Sequence, residues 1–490
     1  MSDLPEFTIR VDQNPYLPAG GREVHAVITV EANAASAAAP AGASGPAGAS
    51  GPAASAPPST QAAEVIIIDA SGSMTYSGKM AAAKRAAEAA VRILRDGVHF
   101  AVVAGANQPR MIYPRERRLA RMTAAARRAA LAEIRRLDAA GGTAIGSWLR
   151  LAGRLVEDHR NAVRHAILLT DGKNQHETDE ELDEALAECS GAFVCDARGV
   201  GTDWDVAELR KISSALLGTF LDVPDPQDLE EDFREMTAAA MGKRVADVVL
   251  RVWTPQNARL RFLKQMVPTV EDLTSRRSGT GRIGDYPLGV WGTEVREYHL
   301  CVEVPAGDIG RQMRAAWVKV VLPSGGPGEP DRELAAGNVL AEWTEDEAKA
   351  TRINARVAVH TGQSELAEAI QEGLEARRAG DEELATARLG RAVALAEQVG
   401  NTQIAGLLDR VVDVIDRESG TVRLKKDVSK ADEMSLDTRS VRTVRTSSRT
   451  GEFPGGAPGA PGDPRDPRTR VTRPSSADGP PGTAAPRGEG

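Results

Sequence analysis

Two hydrophobic periods run along this chain, and they exchange places where its character changes. Phe7, Ile9 and Val11, then Val24, Ala26, Ile28 and Val30, recur at period two on either side of the turn-rich stretch 14–21. That spacing predicts antiparallel strands with one buried face. From Glu64 to about Lys243, short apolar runs alternate with segments of helical period. The predicted strands are 65–69, 98–104, 165–170, 193–200 and 219–223; the predicted helices are 79–95, 123–137, 144–157, 179–188, 206–213 and 227–241. Val65-Ile66-Ile67-Ile68 is a run of four β-branched residues, which suits a strand covered on both faces. The strand–helix rhythm predicts an α/β fold, a parallel sheet between helices with functional loops at the strand C-terminal ends.

Beyond Lys243 the period returns to two, in 248–253, 298–304 and 317–322, separated by Gly- and Pro-rich turns. An isolated N-terminal hairpin would be only marginally stable. The expected arrangement is therefore a β-sandwich completed by the two N-terminal strands, with the α/β domain inserted in it. From about 344 to 420 the period is helical again. Leu366, Ile370 and Leu374 share one face, Leu389, Ala392, Val393 and Ala396 a second, and Leu408, Val411, Val412 and Ile415 a third. Gly380-Asp381 and Gly400-Asn401 separate them as cap signals. A small helical bundle is expected there. The resulting domain plan is 1–32 first sandwich strands, 33–62 disordered linker, 63–243 α/β domain, 244–343 remaining sandwich, 344–420 helical domain and 421–490 disordered tail.

Composition supports the two disordered assignments. Residues 33–61 are almost entirely Ala, Gly, Ser and Pro, and Pro, Gly, Arg, Ser and Thr dominate from Ser447 onward. Neither stretch has the apolar surface to offset its ordering entropy. The formal charge is −8 with both signs mixed along the chain, so no basic field indicates nucleic acid. Cys189, Cys195 and Cys301 form no disulfide framework and no zinc-type spacing along the sequence. The first residues lack the basic start and apolar core of a signal peptide, and no apolar run reaches the length of a membrane span. These features predict a cytoplasmic protein with no membrane or nucleic-acid partner.

The candidate chemistry lies in three short motifs. Asp69-Ala-Ser71-Gly-Ser73 follows the first apolar strand, Gly141-Gly142-Thr143 opens a helix, and Thr170-Asp171-Gly172 ends another strand. Hydroxyls and carboxylates converging on rigid loops suit Mg²⁺, a hard cation that takes oxygen ligands and keeps several waters. In order and spacing the three motifs resemble the metal-ion-dependent adhesion site of the von Willebrand factor type A (VWA) family, in the manner of cytosolic bacterial VWA proteins. The resemblance implies a Rossmann-like domain and a site made of Asp69, Ser71, Ser73, Thr143 and Asp171. It implies direct Mg²⁺ (or Mn²⁺) ligation by the two serines, joined by Thr143, with Asp69 and Asp171 acting through water. Neutral inner ligands leave the cation attractive to an Asp or Glu of a protein partner.

The expected function is thus a non-enzymatic, Mg²⁺-dependent protein-interaction scaffold. The alternative is an accessory subunit of an AAA+ ATPase or chelatase-like complex. An enzyme is not expected: the motifs contain no His, Lys or Cys nucleophile, and the chain has no nucleotide-phosphate loop. His176, just beyond Asp171, reads as a solvated loop residue. Asp69, placed by this reading at the surface of the sheet, should be removable without loss of the fold. In the tail, Thr438 and Thr443 stand among arginines in a segment expected to be extended and accessible. They are candidate phosphoacceptors for a Ser/Thr kinase, with a phosphothreonine-reading forkhead-associated domain as the partner.

Overall fold

A computed structural model of the chain describes residues 4–34, 61–324 and 330–443. Three N-terminal strands come first: β1 (Glu6–Gln13), β2 (Tyr16–Leu17) and β3 (Glu23–Asn33). The α/β region follows, with strands β4 (Ala62–Asp69), β5 (His99–Gly105), β6 (Arg110–Tyr113), β7 (Ala120–Arg121), β8 (Val163–Thr170), β9 (Val194–Val200) and β10 (Phe220–Val223). Its helices are α1 (Lys79–Ile93), α2 (Ala124–Arg135), α3 (Ile145–Val156), α4 (Asp179–Cys189), α5 (Val206–Ala215) and α6 (Leu229–Met241). The strand order is β10-β9-β8-β4-β5-β6, with β7 also on β5. β4 is central and parallel to both β5 and β8, while β6 and β7 close the edge antiparallel.

The β-branched run places β4 there. Ile66 and Ile68 pack under α1, α2 and α6, whereas Val65 and Ile67 pack under α3, α4 and α5. All eight residues of β4 are buried. Polar groups cannot be buried cheaply in such a strand, so they collect at its ends: Glu64 at one and Asp69 at the other, both wholly buried.

Strands β11 (Val245–Trp253), β12 (Arg259–Val267), β13 (Glu271–Asp272), β14 (Ile283–Trp291), β15 (Glu294–Glu303), β16 (Gln312–Leu322) and β17 (Arg332–Trp343) come next. With the N-terminal strands they form two five-stranded sheets, β1-β3-β15-β12-β13 and β14-β11-β16-β17-β2. β3 lies antiparallel between β1 and β15, and β2 pairs parallel with β17. One apolar cluster unites the two sheets, Ile28, Val30, Tyr298 and Leu300 from the first with Leu250, Val318 and Trp343 from the second. The N-terminal segment is therefore an integral part of both sheets. The predicted linker lies outside the described residues except at its ends, where Asn33 belongs to β3 and Ala62 to β4.

The remaining elements are α7 (Glu347–Ala350), α8 (Ala355–Ala379), α9 (Glu382–Gln398), α10 (Thr402–Val411), the hairpin β18 (Val412–Asp416) and β19 (Thr421–Leu424), and α11 (Lys430–Ser440). Two sequence expectations are corrected here. Val412 and Ile415 do not continue a helical face: the β-branched run folds into β18, and Ile415 stands 68% exposed. Nor does a disordered tail begin at 421. β19 and α11 occupy that stretch, and Thr438 is wholly buried. Its helix is held by polar contacts, Asp437 to Arg210 and Arg378, and Ser435 Oγ donating to Asp222 Oδ2 at 2.5 Å. Thr443 donates through Oγ1 to the carbonyls of Met266 (2.6 Å) and Pro268 (3.0 Å). Thr438 is therefore not an extended, accessible phosphoacceptor, while Thr443 is half-buried with its hydroxyl engaged on these two carbonyls. Residues 444–490 of the predicted tail lie outside the described residues.

Candidate metal centre

Three loops meet at the C-terminal ends of β4 and β8. The first, after β4, is shaped by Asp69. Its Oδ1 accepts the Ser71 amide at 2.7 Å and its Oδ2 accepts the Thr170 hydroxyl at 2.6 Å. Both oxygens are thus spent on protein donors, and the side chain is wholly buried. Burial raises the Asp69 carboxyl above its usual range, against the hydrogen bonds from Ser71 and Thr170 that favour its charge. The turn that results brings Ser71 Oγ to 3.0 Å from Ser73 Oγ.

The second loop joins the first through its backbone. Ala140 N donates to Ala70 O (2.6 Å) and Gly72 N to Gly141 O (2.9 Å). Gly141 has φ +97°, a left-handed conformation that favours glycine, and Gly142 N donates to Asn107 Oδ1. Side chains of the third loop then fix Thr143. His176 Nδ1 accepts the Thr143 amide at 3.1 Å, Asn174 Oδ1 accepts that of Ile145 at 3.1 Å, and the Glu177 carboxylate accepts those of Gly146 and Ser147 at 2.7 Å each. Glu177 thereby stabilises the positive N-terminus of α3. A Cβ on Gly142 would lie 1.8 Å from the His176 ring, so this glycine is required by the packing of that ring.

Asp171 completes the group. Ser73 Oγ donates to its Oδ1 at 2.7 Å and Lys79 Nζ to its Oδ2 at 2.8 Å. The hydroxyls of Thr143 and Ser73 flank Gly172, lying 3.6 Å and 3.7 Å from where its Cβ would be. The five residues singled out in the sequence therefore meet where the three loops join: Asp69 holds Ser71, Ser71 reaches Ser73, Ser73 bonds Asp171, and the Thr143 hydroxyl lies beside Gly172 as that of Ser73 does. The donors are three hydroxyls and two carboxylates, every one a hard oxygen, and that set fits a small divalent cation such as Mg²⁺.

Lys79 was not legible as part of this site. It is the first residue of α1, and its ammonium bridges Asp171 and Asp203 (3.0 Å). Burial opposes the ammonium, but the hydrogen bonds to Asp171 and Asp203 outweigh it and raise its pKa. Asp203 is lowered in turn, first by its hydrogen bond from Lys79. The only sequence signal was a cation ten residues after Asp69, at the start of a helix, where a cation opposes the helix dipole and needs a local reason. His176, read as a solvated residue, is exposed and nevertheless holds Thr143 in place.

Residues 63–221 match the model of the von Willebrand factor type A domain, and residues 394–440 that of the von Willebrand factor type A C-terminal domain. A von Willebrand factor type A protein from Catenulispora acidiphila is 46% identical, with TM-score 0.82, over 91% of this chain and 98% of that one. The ArnB paralog VWA2 from Sulfolobus acidocaldarius aligns at 13% identity and TM-score 0.49, over 90% of this chain and 100% of its own. Proximal thread matrix protein 1 from the mussel byssus, solved with a zinc-occupied MIDAS motif, aligns at 23% identity and TM-score 0.32 over 37% of this chain and 46% of its own. No curated protein matched. Among the described residues, no helix is long and apolar enough to cross a membrane.

Proposed function

The chain belongs to the von Willebrand factor type A family, and from that premise we propose that it is a Mg²⁺-dependent protein-interaction scaffold. The observation that carries the reading is the division of labour among the oxygens. Asp69 has both carboxylate oxygens engaged by Ser71 and Thr170, and Asp171 has both engaged by Ser73 and Lys79. The hydroxyls of Ser71, Ser73 and Thr143 are left as the direct ligands. Ser73, by donating its proton to Asp171, presents lone pairs on its other side. Bound there, Mg²⁺ (Mn²⁺ equally by donor type) would supply a poorly quenched positive charge for a carboxylate from outside. Lys79 holds Asp171 from behind and takes up part of its charge, which keeps the loop set short of neutralising a cation.

The partner in this reading is a protein offering an Asp or Glu side chain. Tyr76, three residues past Ser73 and 72% exposed, supports it as an apolar contact for such a partner. The same residues support a non-enzymatic role, because both carboxylates beside the hydroxyls are committed to the protein, Asp69 to Ser71 and Thr170 and Asp171 to Lys79 as well as Ser73. The two sheets around the shared core support a β-sandwich with the VWA domain (63–243) inserted, and α8–α10 support a helical bundle beside it. The three cysteines are free and buried, in keeping with a reduced, cytoplasmic setting. The test is affinity purification of the native chain with Mg²⁺ and with EDTA, alongside Ser71→Ala/Ser73→Ala. A partner retained in Mg²⁺ and lost in both other samples is expected. Partners identical in all three would refute the reading, and an AAA+ ATPase among those lost would assign the chelatase-like setting.

A further inference from the structure

The outer face of the sheet containing β3 and β15 carries a second, chemically different cluster. His25 and Cys301 are directly opposite each other in the β3–β15 register, with Glu23 two residues before His25 on the same face and His299 two before Cys301. His25 Nε2 is 3.7 Å from Cys301 Sγ and 4.0 Å from a Glu23 carboxylate oxygen. One donor atom from each of Glu23, His25 and Cys301 lies within 4.8 Å of the other two. The other nitrogen of His25, Nδ1, is 3.3 Å from His299 Nε2.

We propose that Glu23, His25 and Cys301 bind one borderline divalent transition-metal ion of the Zn²⁺ class, with His299 as a positioning residue. Zinc takes imidazole nitrogen at about 2.0–2.1 Å, thiolate sulfur at about 2.3 Å and carboxylate oxygen at about 2.0–2.2 Å, tetrahedrally. Donors on such a tetrahedron stand roughly 3.3–3.8 Å apart by that geometry. His25 and Cys301 already have this spacing on a rigid ladder. Only Glu23 must move, closing by about 0.7 Å on His25 and by no more than about 1.2 Å on Cys301, and its side chain is the most exposed of the three, 51% exposed at the end of β3. Arg261 pairs with Glu23 through the other carboxylate oxygen, at 3.4 Å, leaving the one that faces His25 free for the ion.

The surroundings suit the donors. Burial lowers the pKa of His25, against the pull of Glu23, and burial together with neighbouring His25 lowers His299 to about 3, so both rings offer neutral nitrogens. His25 can then donate Nδ1–H to His299 while Nε2 faces the ion, the orientation that metal-bound histidines commonly receive from an outer partner. The Cys301 thiol, pushed up to about 12 chiefly by burial, must release its proton when the ion binds. Three protein donors leave the fourth position to solvent on the Glu23 side. Sulfur and imidazole select against Mg²⁺, which separates this site from the oxygen-lined loops.

The test uses the full chain in saturating Mg²⁺, so that the loop site is occupied, and titrates Zn²⁺ alone by calorimetry and Co²⁺ by absorption. The expected result is one Zn²⁺ per chain and a thiolate-to-cobalt charge-transfer band. Glu23→Gln, on the exposed rim and so without risk to folding, should weaken Zn²⁺ binding at least about tenfold, and His299→Phe by about 10–100-fold. Cys301→Ser should abolish the band, whereas Ser71→Ala/Ser73→Ala should leave both stoichiometry and band unchanged. Wild-type protein with no charge-transfer band, or Zn²⁺ affinity insensitive to Glu23→Gln, would overturn the proposal. So would Zn²⁺ binding that disappears with the serine pair.

Discussion

Replacing Asp69 by alanine separates two roles of the loop after β4, holding its own turn and, on the proposed function, supporting a metal ion. On the sequence reading this change should spare the fold, because the loop was placed at the surface. The structure puts Asp69 at no exposure, with the Ser71 amide and Thr170 hydroxyl hydrogen-bonded to its two oxygens. A hydrogen bond to a charged group contributes about 1.5–3 kcal/mol, and an orphaned buried donor costs about 1–3 kcal/mol. Thr170 has a second acceptor in Gly172 O at 3.2 Å, so its loss is partial; the Ser71 amide has no second acceptor among the described residues. Relief of the buried charge, whose cost is reflected in the raised carboxyl pKa, offsets part of the total. The net expectation is about 2–4 kcal/mol of destabilisation. For a domain of this size that corresponds to a melting temperature lower by roughly 5–15 °C. The assay is thermal unfolding in EDTA, where lost metal binding cannot contribute. Asp69→Asn keeps an acceptor for Ser71 and should lose less than half as much. A melt within about 1 °C of wild type for Asp69→Ala, or an equal loss for Asp69→Asn, would refute the structural role.

Three further outcomes follow from the packing. His165 lies between Glu64 (2.8 Å) and Asp196 (3.0 Å), and despite burial these carboxylates raise its pKa to about 10. A raised pKa gives stability that is full below the unfolded value of 6.5 and is lost as pH climbs toward 10. The urea midpoint of wild type should fall over that window, by at most about 5 kcal/mol in stability, while His165→Gln stays nearly flat; parallel profiles would contradict the assignment. Gly105→Ala would place a Cβ 2.5 Å from the wholly buried Trp148 ring and should cost about 1–3 kcal/mol or more, read by denaturant titration. At Thr438, whose buried hydroxyl has no hydrogen-bond partner among the described residues, Thr438→Val should melt within about 1 °C of wild type or above it, whereas Thr438→Glu, burying an unpaired charge, should melt several degrees lower. Equal melts for the two variants would mean that position 438 is not buried.

The sequence was informative where one residue type sufficed. A run of four β-branched residues named the central strand, and a carboxylate after an apolar run marked the loops that bear Asp69 and Asp171. It was silent where the answer lay in a distant partner. Nothing local identifies His176 as the acceptor for Thr143, 33 residues earlier, or Asn107 as the acceptor for Gly142. α11 was misread for a physical reason. Four of its six buried residues are polar, Ser435, Asp437, Thr438 and Ser440 beside Met434 and Leu436, and their partners Asp222, Arg210 and Arg378 come from other parts of the chain. By composition alone such a helix cannot be told from a solvated tail, because the hydrophobic period that signals burial is absent.

α11 also bears on the loops of the candidate site. Ser435 hydrogen-bonds Asp222 on β10, and the charge of Lys430, first residue of α11, helps to lower Asp203. Asp203 in turn shares Lys79 with Asp171, and Asp171 accepts from Ser73. Charges of alternating sign thus run from α11 through Asp203 and Lys79 to the serine loop. Each carboxylate in the series has a cation or a hydroxyl donor on at least one oxygen, which offsets part of the cost of burying it. The pairing of Lys79 with Asp203 leaves Asp171 less neutralised than a private ion pair would. On the proposed function that balance serves two ends: Lys79 fixes Asp171 and removes part of its charge, which would keep a bound cation attractive to an outside carboxylate, and the remaining charge would still draw the cation to the loops.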